Sequence, residues 1–584
     1  MNFSARRAKI VATLGPSSSE LSVIENLIKA GVDVFRLNFS HGSKEDHLKR
    51  IEMVRQASDN LKKPVALLQD LQGPKLRVGR FPGGSITLEK GAEVHLRYEV
   101  DRTAIPPQPT QGPVLVPYNY KPLPREIRVG QRILFDDGNL EVVVTATDNQ
   151  DLITAQVVFG GVLKDHKGMN YPDTKLSIQS FTAKDREDLL FGMQNDVDYV
   201  ALSFVRTAED IRELKKFMHV HKKNIPVVAK IEMADAITNL KSILDITDAV
   251  MVARGDLAVE VGTAKVPALQ KEIIHLANAR GIPVITATQM LESMITTPRP
   301  TRAEASDVAN AILDGTDAVM LSAESASGKF PVLAVSVMAN IIAETELRRN
   351  SLLGDPVLPP PPSADNTIAE AVEYAASSLI RALGAKAAVC ITHTGESALA
   401  LSRFRPGAPI IALTDSPTVA RQLALVWGIH SECLEKEILP PDGEQGYLER
   451  LFALAEERLV ADKIVDRGDL FVCSAGSPAL KHGSTNLLKV IKVKLSQAQL
   501  GLGTEAAPAP EDISGYRTRR AQFIIDQNLC TQCGGCVEVC PNDIFGIENR
   551  RVYLKESNCR NCTFDNACME ICPTHAIEVI RLGD

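Results

Sequence analysis

The chain has 584 residues, more than one hydrophobic core usually supports, so several domains are expected. Hydrophobic residues make up 45% and charged residues 23% of it, the balance of an ordinary globular protein. The formal net charge of −7 is small for this length and argues against a nucleic acid or an anionic membrane as a partner, and no apolar run is long enough to span a bilayer.

Residues 1–73 and 177–347 repeat one pattern, in which a short apolar run ending in polar residues precedes a longer helical stretch. The N-terminus carries no signal-peptide pattern, which predicts a cytoplasmic location. Eight runs occur, namely KIVATLG, DVFRLNFS, VALLQDL, YVALSF, VVAKIE, AVMVARGD, VITATQ and AVMLSAES. They predict an α/β fold, a (β/α)8 TIM barrel with its active site at the carboxyl ends of the strands; an open doubly wound sheet is the alternative.

Alternation along these strands selects side chains that share a face. Residues two apart point the same way, so Arg36, Asn38 and Ser40 lie together, as do Lys230 and Glu232. A cation beside a carboxylate can be a structural ion pair, but several polar sets at the mouths of different strands favour a functional cleft.

The repeat is interrupted by residues 74–176, which are rich in Val, Thr, Ile and Gly. The turn signals PGG, DDG and FGG predict a separate small β domain. Inserted at the functional end of a barrel, this segment is well placed to act as a lid over a substrate; a passive decoration is the alternative.

A proline-rich linker, GDPVLPPPPSAD, precedes a further α/β unit at residues 366–495. Its predicted strands are AKAAVCITHTG, PIIALTD, DLFVCSAG and KVIKVKL. The segment THTGES joins a strand to a helix, so its hydroxyls and backbone N–H groups suit an anion. The candidate residues are Thr392, Thr394, Gly395 and Ser397; a capped helix start without a ligand is the alternative.

A linker at residues 496–522 leads to a cysteine-rich tail at residues 523–584, which holds eight of the eleven cysteines. In a reducing compartment such a cluster binds metal more readily than it forms disulfides. The first four follow C-x2-C-x2-C-x3-C-P, and the tail resembles bacterial two-cluster ferredoxins, an α+β fold with two [4Fe–4S] clusters. The second run has five residues rather than two between its middle cysteines.

In such ferredoxins the fourth cysteine of each run ligates the other cluster. The resemblance therefore implies one cluster on Cys530, Cys533, Cys536 and Cys572, and a second on Cys559, Cys562, Cys568 and Cys540. Paired zinc sites, or a protein without metal, are the alternatives.

Residues 6 to 495 resemble the pyruvate kinase family. The resemblance rests on FRLNFSHG, QDLQGPKLR, VVAKIE, ARGDLAVE and ATQMLESMITTPRPTRAE, in that order. It implies phosphoryl transfer from phosphoenolpyruvate to ADP, giving pyruvate and ATP, by a barrel with a β lid and a C-terminal regulatory domain, as a homotetramer. A Mg²⁺-dependent lyase acting on a pyruvate enolate is the alternative.

The resemblance also implies roles for individual residues. Mg²⁺ or Mn²⁺ is expected on Glu232 and Asp256, because Mg²⁺ prefers a few carboxylates plus substrate oxygens. Catalysis and substrate binding are implied for Arg36, Lys230, Thr288, Ser203, Gly255 and Asp256, and nucleotide binding for Asn38, His41, Arg77 and Lys167. The THTGES segment corresponds to a loop that holds a phosphate of an allosteric effector.

One departure concerns K⁺. Many family members bind K⁺ at the positions of Asn38, Ser40, Asp70 and the Leu71 carbonyl, and carry glutamate where this chain has Lys75. A fixed ammonium can replace the mobile cation, so activity without K⁺ is expected.

The sequence leaves three alternative roles for the tail. Redox regulation of the kinase, electron transfer or partner binding by a tethered ferredoxin module, and a structural role are three alternatives.

Overall fold

The computed structural model describes residues 6–99, 101, 105–353, 367–434, 447–476 and 485–494, and five short strands between residues 519 and 582. It divides into two compact units, residues 1–500 and 501–584. Among the described residues, no helix is both long and apolar enough to cross a bilayer.

The eight predicted strands form a closed parallel barrel, so the open-sheet alternative is wrong. Each strand pairs with the next in chain order, and the eighth returns to the first, aligning Ala318 with Lys9. The strands are Lys9–Thr13, Val34–Asn38, Ala66–Asp70, Tyr199–Leu202, Val227–Ile231, Ala249–Ala253, Val284–Ala287 and Ala318–Leu321.

Helices cover the outside of this barrel, with an apolar core between helices and strands. Side-chain caps fix several starts; Ser43 Oγ, for example, accepts the Asp46 N–H at 3.2 Å where a helix begins at Lys44. The helices are Leu21–Ala30, Lys44–Asn60, Ala183–Gln194, Ala208–Val220, Ala234–Thr238, Leu240–Leu244, Arg254–Val261, Val266–Ala279, Arg302–Asp314, Ala323–Ala326 and Pro331–Leu353. Short 3₁₀ turns lie at Pro16–Ser18, Thr263–Lys265 and Glu292–Ile295.

The lid, residues 74–176, is a β domain with its own core, as its composition predicts. A six-stranded sheet and a two-stranded sheet make it up. Its strands are Ser85–Leu88, Glu93–Tyr98, Val114–Tyr118, Arg132–Phe135, Leu140–Thr147, Leu152–Phe159, Gly161–Lys164 and Met169–Asn170, with a 3₁₀ turn at Pro82–Gly84 and a short helix at Leu123–Glu126.

The third domain, residues 367–494 as described, is a five-stranded sheet with helices. It contains a strand that the sequence did not reveal, Ile429–Cys433, because three of its five residues are polar and make no apolar run. The strands are Ala387–Ile391, Ile410–Thr414, Ile429–Cys433, Leu470–Gly476 and the antiparallel Thr485–Lys492; the helices are Ile368–Leu383, Glu396–Arg403, Pro417–Leu423 and Tyr447–Ala461.

Buried ion pairs join the barrel to the third domain. Asp198, fully buried in the barrel, pairs with Arg55 at 2.9 Å and with Arg421 of the third domain at 2.7 Å. The same carboxylate accepts the Leu67 N–H at 2.8 Å, so its position also fixes a barrel strand.

The second unit contains a three-stranded antiparallel sheet, with Arg519–Ile525 between Asn558–Cys562 and Ile577–Leu582, and a hairpin of Phe545–Glu548 and Arg551–Leu554. Of the predicted cluster ligands, Cys559 and Cys562 fall on a described strand. The other six, Cys530, Cys533, Cys536, Cys540, Cys568 and Cys572, lie outside the described residues.

Candidate active site

A cleft of about 550 Å³ lies between the carboxyl ends of the barrel strands and the lid. Most of the residues predicted from the strand ends line it, as do those predicted from the lid. They are Arg36, Asn38, Ser40, Asp70, Lys75, Arg77, Lys167, Ser203, Lys230, Glu232 and Asp256.

Asp70 organises the cations at the floor of the cleft. Its Oδ2 accepts from Arg36 Nε at 2.7 Å, and its Oδ1 lies 3.5 Å from Lys230 Nζ. Burial alone would raise the pKa of Asp70, but Lys230 and Arg36 outweigh it and hold that pKa below its usual range. The carboxylate therefore stays ionised and fixes both cations.

Lys230 is held by three neighbours at once. Its Nζ donates to Ser203 Oγ at 2.7 Å and lies 3.4 Å from Glu232 Oε2. Burial would lower the pKa of Lys230, but Asp70 and Glu232 outweigh burial and raise it. The predicted pairing of Lys230 with Glu232 on one face is confirmed.

Glu232 has the features of a ligand for a divalent cation. Its Oε1 accepts the Phe204 N–H at 2.6 Å, whereas its buried Oε2 has no hydrogen-bond partner among the described residues. Burial raises its pKa to about 7; Lys230 opposes this and Asp256 adds to it. Lys230 Nζ, 3.4 Å away, does not hydrogen-bond with Oε2. A divalent cation would therefore satisfy this oxygen and relieve the repulsion between Glu232 and Asp256, so these carboxylates fit Mg²⁺.

Within the described part of the chain, no three His, Cys, Asp or Glu side chains converge as a metal cage. Two carboxylates are consistent with Mg²⁺, because this ion keeps waters and substrate oxygens in its shell.

Thr288 and Gly255 contact each other and do not line the cleft. The Gly255 N–H, on the first turn of the helix Arg254–Val261, donates to Thr288 Oγ1 at 2.9 Å, and this hydroxyl donates to the Ala287 carbonyl at 2.7 Å. Thr288 has a left-handed backbone, with φ of 68°.

Arg254 supports this unusual backbone, and the sequence did not single it out. Its Nη2 donates to the Thr288 carbonyl at 2.7 Å and its Nε to the Ala287 carbonyl at 3.2 Å, while Asp307 anchors its Nη1 at 2.7 Å. Arg254 belongs to the motif ARGD. Its contacts with the Ala287 and Thr288 carbonyls could not be predicted, because those residues lie on another strand end.

Two of the oxygens named for the monovalent-cation pocket accept hydrogen bonds from this chain. The Leu71 carbonyl accepts from Ser203 Oγ at 2.7 Å, and Asn38 Oδ1 accepts the Ser40 N–H at 3.1 Å. Lys75 follows Gly73, whose φ of +65° and close approach to Phe204 leave no room for a Cβ. Burial, then Arg77 and Lys230, lower the pKa of Lys75 to about 8.

On the lid side, Arg77 Nη1 donates to the His166 carbonyl at 2.6 Å, and Lys167 pairs with Asp136 at 2.6 Å. His41 does not line the cleft, although burial and the cations Lys75, Arg77 and Arg36 lower its pKa.

Five acidic residues that line the cleft were not predicted: Asp136, Asp137, Asp173, Asp235 and Glu260. Asp136 and Asp137 belong to the DDG segment, which the sequence marked as a turn, and both have positive φ. Glu260 lies one turn beyond Asp256 on a helix, and burial raises its pKa to about 7. Glu260 follows Asp256 by four residues, so on a helix the two carboxylates share a face, and this spacing could have predicted it.

In the third domain, the Thr392–Ser397 loop enters the helix Glu396–Arg403. Thr392 Oγ1 accepts the Gly395 N–H at 2.9 Å, and Ser397 Oγ is buried with no hydrogen-bond partner among the described residues. Thr394 is half-buried in the same loop.

Three family models match the chain. They are the pyruvate kinase barrel domain at residues 5–335, the pyruvate kinase alpha/beta domain at residues 370–491 and a 4Fe-4S dicluster domain at residues 522–573.

Individual proteins match along most of their length. The chain is 44% identical to pyruvate kinase 2 of Synechocystis over 89% of this chain and 85% of that protein. It is 40% identical to pyruvate kinase of Geobacillus stearothermophilus over 90% of this chain and 87% of that protein. A solved pyruvate kinase from Cryptosporidium parvum superposes with a TM-score of 0.74 at 32% identity, over 84% of this chain and 96% of that one.

Proposed function

The chain belongs to the pyruvate kinase family, and from that premise we propose how its residues divide the transfer of a phosphoryl group from phosphoenolpyruvate to ADP. The arrangement of Lys230 with Asp70, Glu232 and Ser203 is the observation that carries the proposal. Two polyanions must meet in this reaction, so positioning and charge neutralisation dominate the barrier. Fixed cations at the floor of a cleft supply both.

The cleft residues, and Thr288 beside the cleft, each take one task. Lys230 stabilises the phosphoryl group during transfer, Arg36 contacts phosphate, and Ser203 orients Lys230. Glu232 and Asp256 hold Mg²⁺ or Mn²⁺, which when bound neutralises negative charge on the substrate oxygens. Thr288, fixed by the Gly255 N–H, helps to place the enolate that is protonated to pyruvate.

The nucleotide is assigned to the lid side of the same cleft. Arg77 and Lys167 project into the cleft from the lid, and Asn38 faces them from the barrel. His41 is assigned a supporting role there because it lies beside these cations and not on the cleft wall. ADP, or ATP in the reverse reaction, would exchange the lid contacts of Arg77 and Lys167 for phosphate contacts.

A coupled assay of pyruvate formation from phosphoenolpyruvate and ADP tests the assignment. Lys230→Met should lower kcat by about 10²-fold or more, the usual cost of losing one group that stabilises a transition state. Lys184→Met, on the barrel surface and paired with Asp188, is the matched control and should keep its activity. Full kcat in Lys230→Met would contradict the assignment.

K⁺ independence is the second part of the proposal. Asp70, the Leu71 carbonyl and Asn38 already bind internal donors, and the Lys75 ammonium supplies one positive charge in the same cleft. Activity in a buffer free of K⁺ and Na⁺ is expected, and a requirement for added K⁺ at pH 7 would refute this part.

A phosphorylated effector at the Thr392–Ser397 loop is the third part. The free Ser397 hydroxyl and the N-terminus of the helix Glu396–Arg403 offer donors to an anion. Flat kinetics across a panel of sugar phosphates and AMP would count against this part. A cytoplasmic homotetramer is also expected, and sedimentation of the full chain measures its assembly.

The tail is proposed to carry two [4Fe–4S] clusters whose redox state changes kinase activity. Eight cysteine thiols in two runs are the right donors for such clusters, and phosphoryl transfer itself moves no electrons. About eight iron and eight sulfide per chain are expected after anaerobic purification, whereas zinc without iron would contradict this. Identical kinetics under reducing and oxidising conditions, with and without residues 498–584, would favour a tethered electron-transfer or partner-binding module.

A further inference from the structure

A second cavity, of about 1100 Å³, lies between the barrel and the third domain and is twice the volume of the catalytic cleft. Its polar lining is dominated by cations, and it contains the single tryptophan of the chain. We call it the arginine cavity, after Arg7, Arg349, Arg381, Lys386, Arg405 and Trp427, which line it.

The charge of this cavity is unbalanced. Five cationic side chains and two carboxylates, Glu346 and Asp314, line it, and Asp317 behind the lining pairs with Arg405, which leaves a formal charge of about +2. Glu346 is already used, since its two oxygens accept the Arg7 and Ala8 N–H groups at 2.8 and 2.7 Å. Asp314 pairs with Lys271 and accepts from Gln270 Nε2 at 3.0 Å.

Several of the cations have spare hydrogen-bond donors. Arg349 and Lys386 make no side-chain hydrogen bond or ion pair with any described residue. Arg349 is half-buried and Lys386 is exposed, so their donors face the open part of the cavity. Arg405 Nη2 pairs with Asp317 at 3.0 Å, but its Nη1 is buried with no hydrogen-bond partner among the described residues. A buried donor is costly unless it is satisfied, which favours a ligand in the cavity.

Trp427 and the protein backbone hold the arginines in place. The Arg405 guanidinium lies 4.5 Å and the Arg7 guanidinium 5.5 Å from the Trp427 ring centre, within cation–π range. Arg7 Nη2 also donates to the Gly407 carbonyl at 2.7 Å. Burial, then Arg405, lower the pKa of Arg349, so an added anion would relieve mutual repulsion.

We propose that the arginine cavity binds a phosphorylated small molecule, bridging the barrel and the third domain. Guanidinium groups match phosphate oxygens in a bidentate geometry, and a phosphomonoester carries about −1.5 to −2 charges near pH 7, close to the excess of the cavity. A bare phosphate would leave most of the volume empty, so the ligand carries an organic group. The site is separate from the catalytic cleft and from the Thr392–Ser397 loop.

The test uses the full chain and four probes: uridine 5′-monophosphate, uridine, inorganic phosphate and citrate. Binding is measured by calorimetry and by the fluorescence of Trp427, which reports on this cavity because the chain has no other tryptophan. The monophosphate should bind and change the emission, more tightly at low ionic strength, whereas uridine should not.

Variants locate the site. Combined Arg349→Gln and Lys386→Gln should weaken binding about tenfold or more, since each removes a charge-assisted donor. Arg348→Gln is the matched control, because that side chain is 70% exposed and pairs with Glu344 outside the cavity. Arg348→Gln and Thr394→Ala should leave binding unchanged.

Four results would overturn the proposal. If Thr394→Ala loses binding and the Arg349→Gln/Lys386→Gln variant keeps it, the ligand binds at the Thr392–Ser397 loop. Equal affinity for inorganic phosphate would show that a bare anion is the ligand. Binding of citrate without the monophosphate would identify a carboxylate site. Absence of any emission change or heat at millimolar probe would show that the cavity takes no such anion.

Discussion

We predict that the need for K⁺ depends on pH through the charge of Lys75. Burial and the neighbouring cations Arg77 and Lys230 lower its pKa from 10.5 to about 8, so its charge is lost as the pH rises through 8. By that pKa about nine tenths of the ammonium is charged at pH 7 and about one tenth at pH 9. If this ammonium replaces K⁺, a requirement for K⁺ should emerge between these two values.

The measurement is the ratio of kcat with saturating K⁺ to kcat without monovalent metal ions, taken at each pH. The ratio cancels other effects of pH on the enzyme, because they act on both assays. It should be near one at pH 7 and rise towards about ten at pH 9, following the tenfold fall in charged Lys75.

Two variants separate charge from side-chain shape. Lys75→Arg stays charged through pH 9, so its ratio should remain near one at both values. Lys75→Met carries no charge, so K⁺ should already stimulate it at pH 7. A wild-type ratio that is flat from pH 7 to 9, or a Lys75→Arg ratio that rises like that of the wild type, would refute the reasoning.

Three further predictions follow from the cleft and its supports. Glu232→Gln removes one of two metal carboxylates, so calorimetric Mn²⁺ affinity should fall more than about tenfold, and unchanged affinity would exclude Glu232 as a ligand. Arg254→Lys loses the guanidinium that donates to the Ala287 and Thr288 carbonyls beside the cleft. Its kcat should fall about tenfold or more, with little change in the thermal midpoint. A lowered midpoint with normal kcat would show that Arg254 has only a structural role. Asp198→Asn leaves two partly exposed arginines without their carboxylate, which should cost about 1–3 kcal/mol, visible as a lower midpoint in calorimetry, whereas a change below about 0.5 kcal/mol would show that the pairs are dispensable.

The sequence predicted the barrel well because a buried parallel strand is a continuous apolar run. Each such run, from Lys9–Thr13 to Ala318–Leu321, became a barrel strand. Ile429–Cys433 was missed because three consecutive polar residues, His430 to Glu432, break any apolar run in this edge strand.

Contacts between side chains from elements that are distant in the chain could not be predicted from the sequence. Alternation could place Lys230 beside Glu232, but not beside Ser203, which comes from the preceding strand end. The partners of Arg254 and the unbalanced charge of the arginine cavity depend on how separate helices pack, and a single sequence does not record this. Arg254, which supports Thr288, was missed for this reason, whereas the acidic residues of the lid turn were missed because a turn signal does not show what the turn faces.

The two cationic sites differ in how their charge is held without a ligand. In the cleft, Asp70 is ionised and contacts both Arg36 and Lys230, so the cations are fixed before a phosphate arrives and no reorganisation is needed when it binds. In the arginine cavity the oxygens of Glu346 accept backbone N–H groups and Asp314 pairs with Lys271, so neither carboxylate forms an ion pair with Arg349 or Lys386. An active site must release its phosphorylated product. A carboxylate that already pairs with the cations lowers the affinity for phosphate and so assists this release. A site with uncompensated charge retains its anion instead, as suits a ligand that binds without reacting.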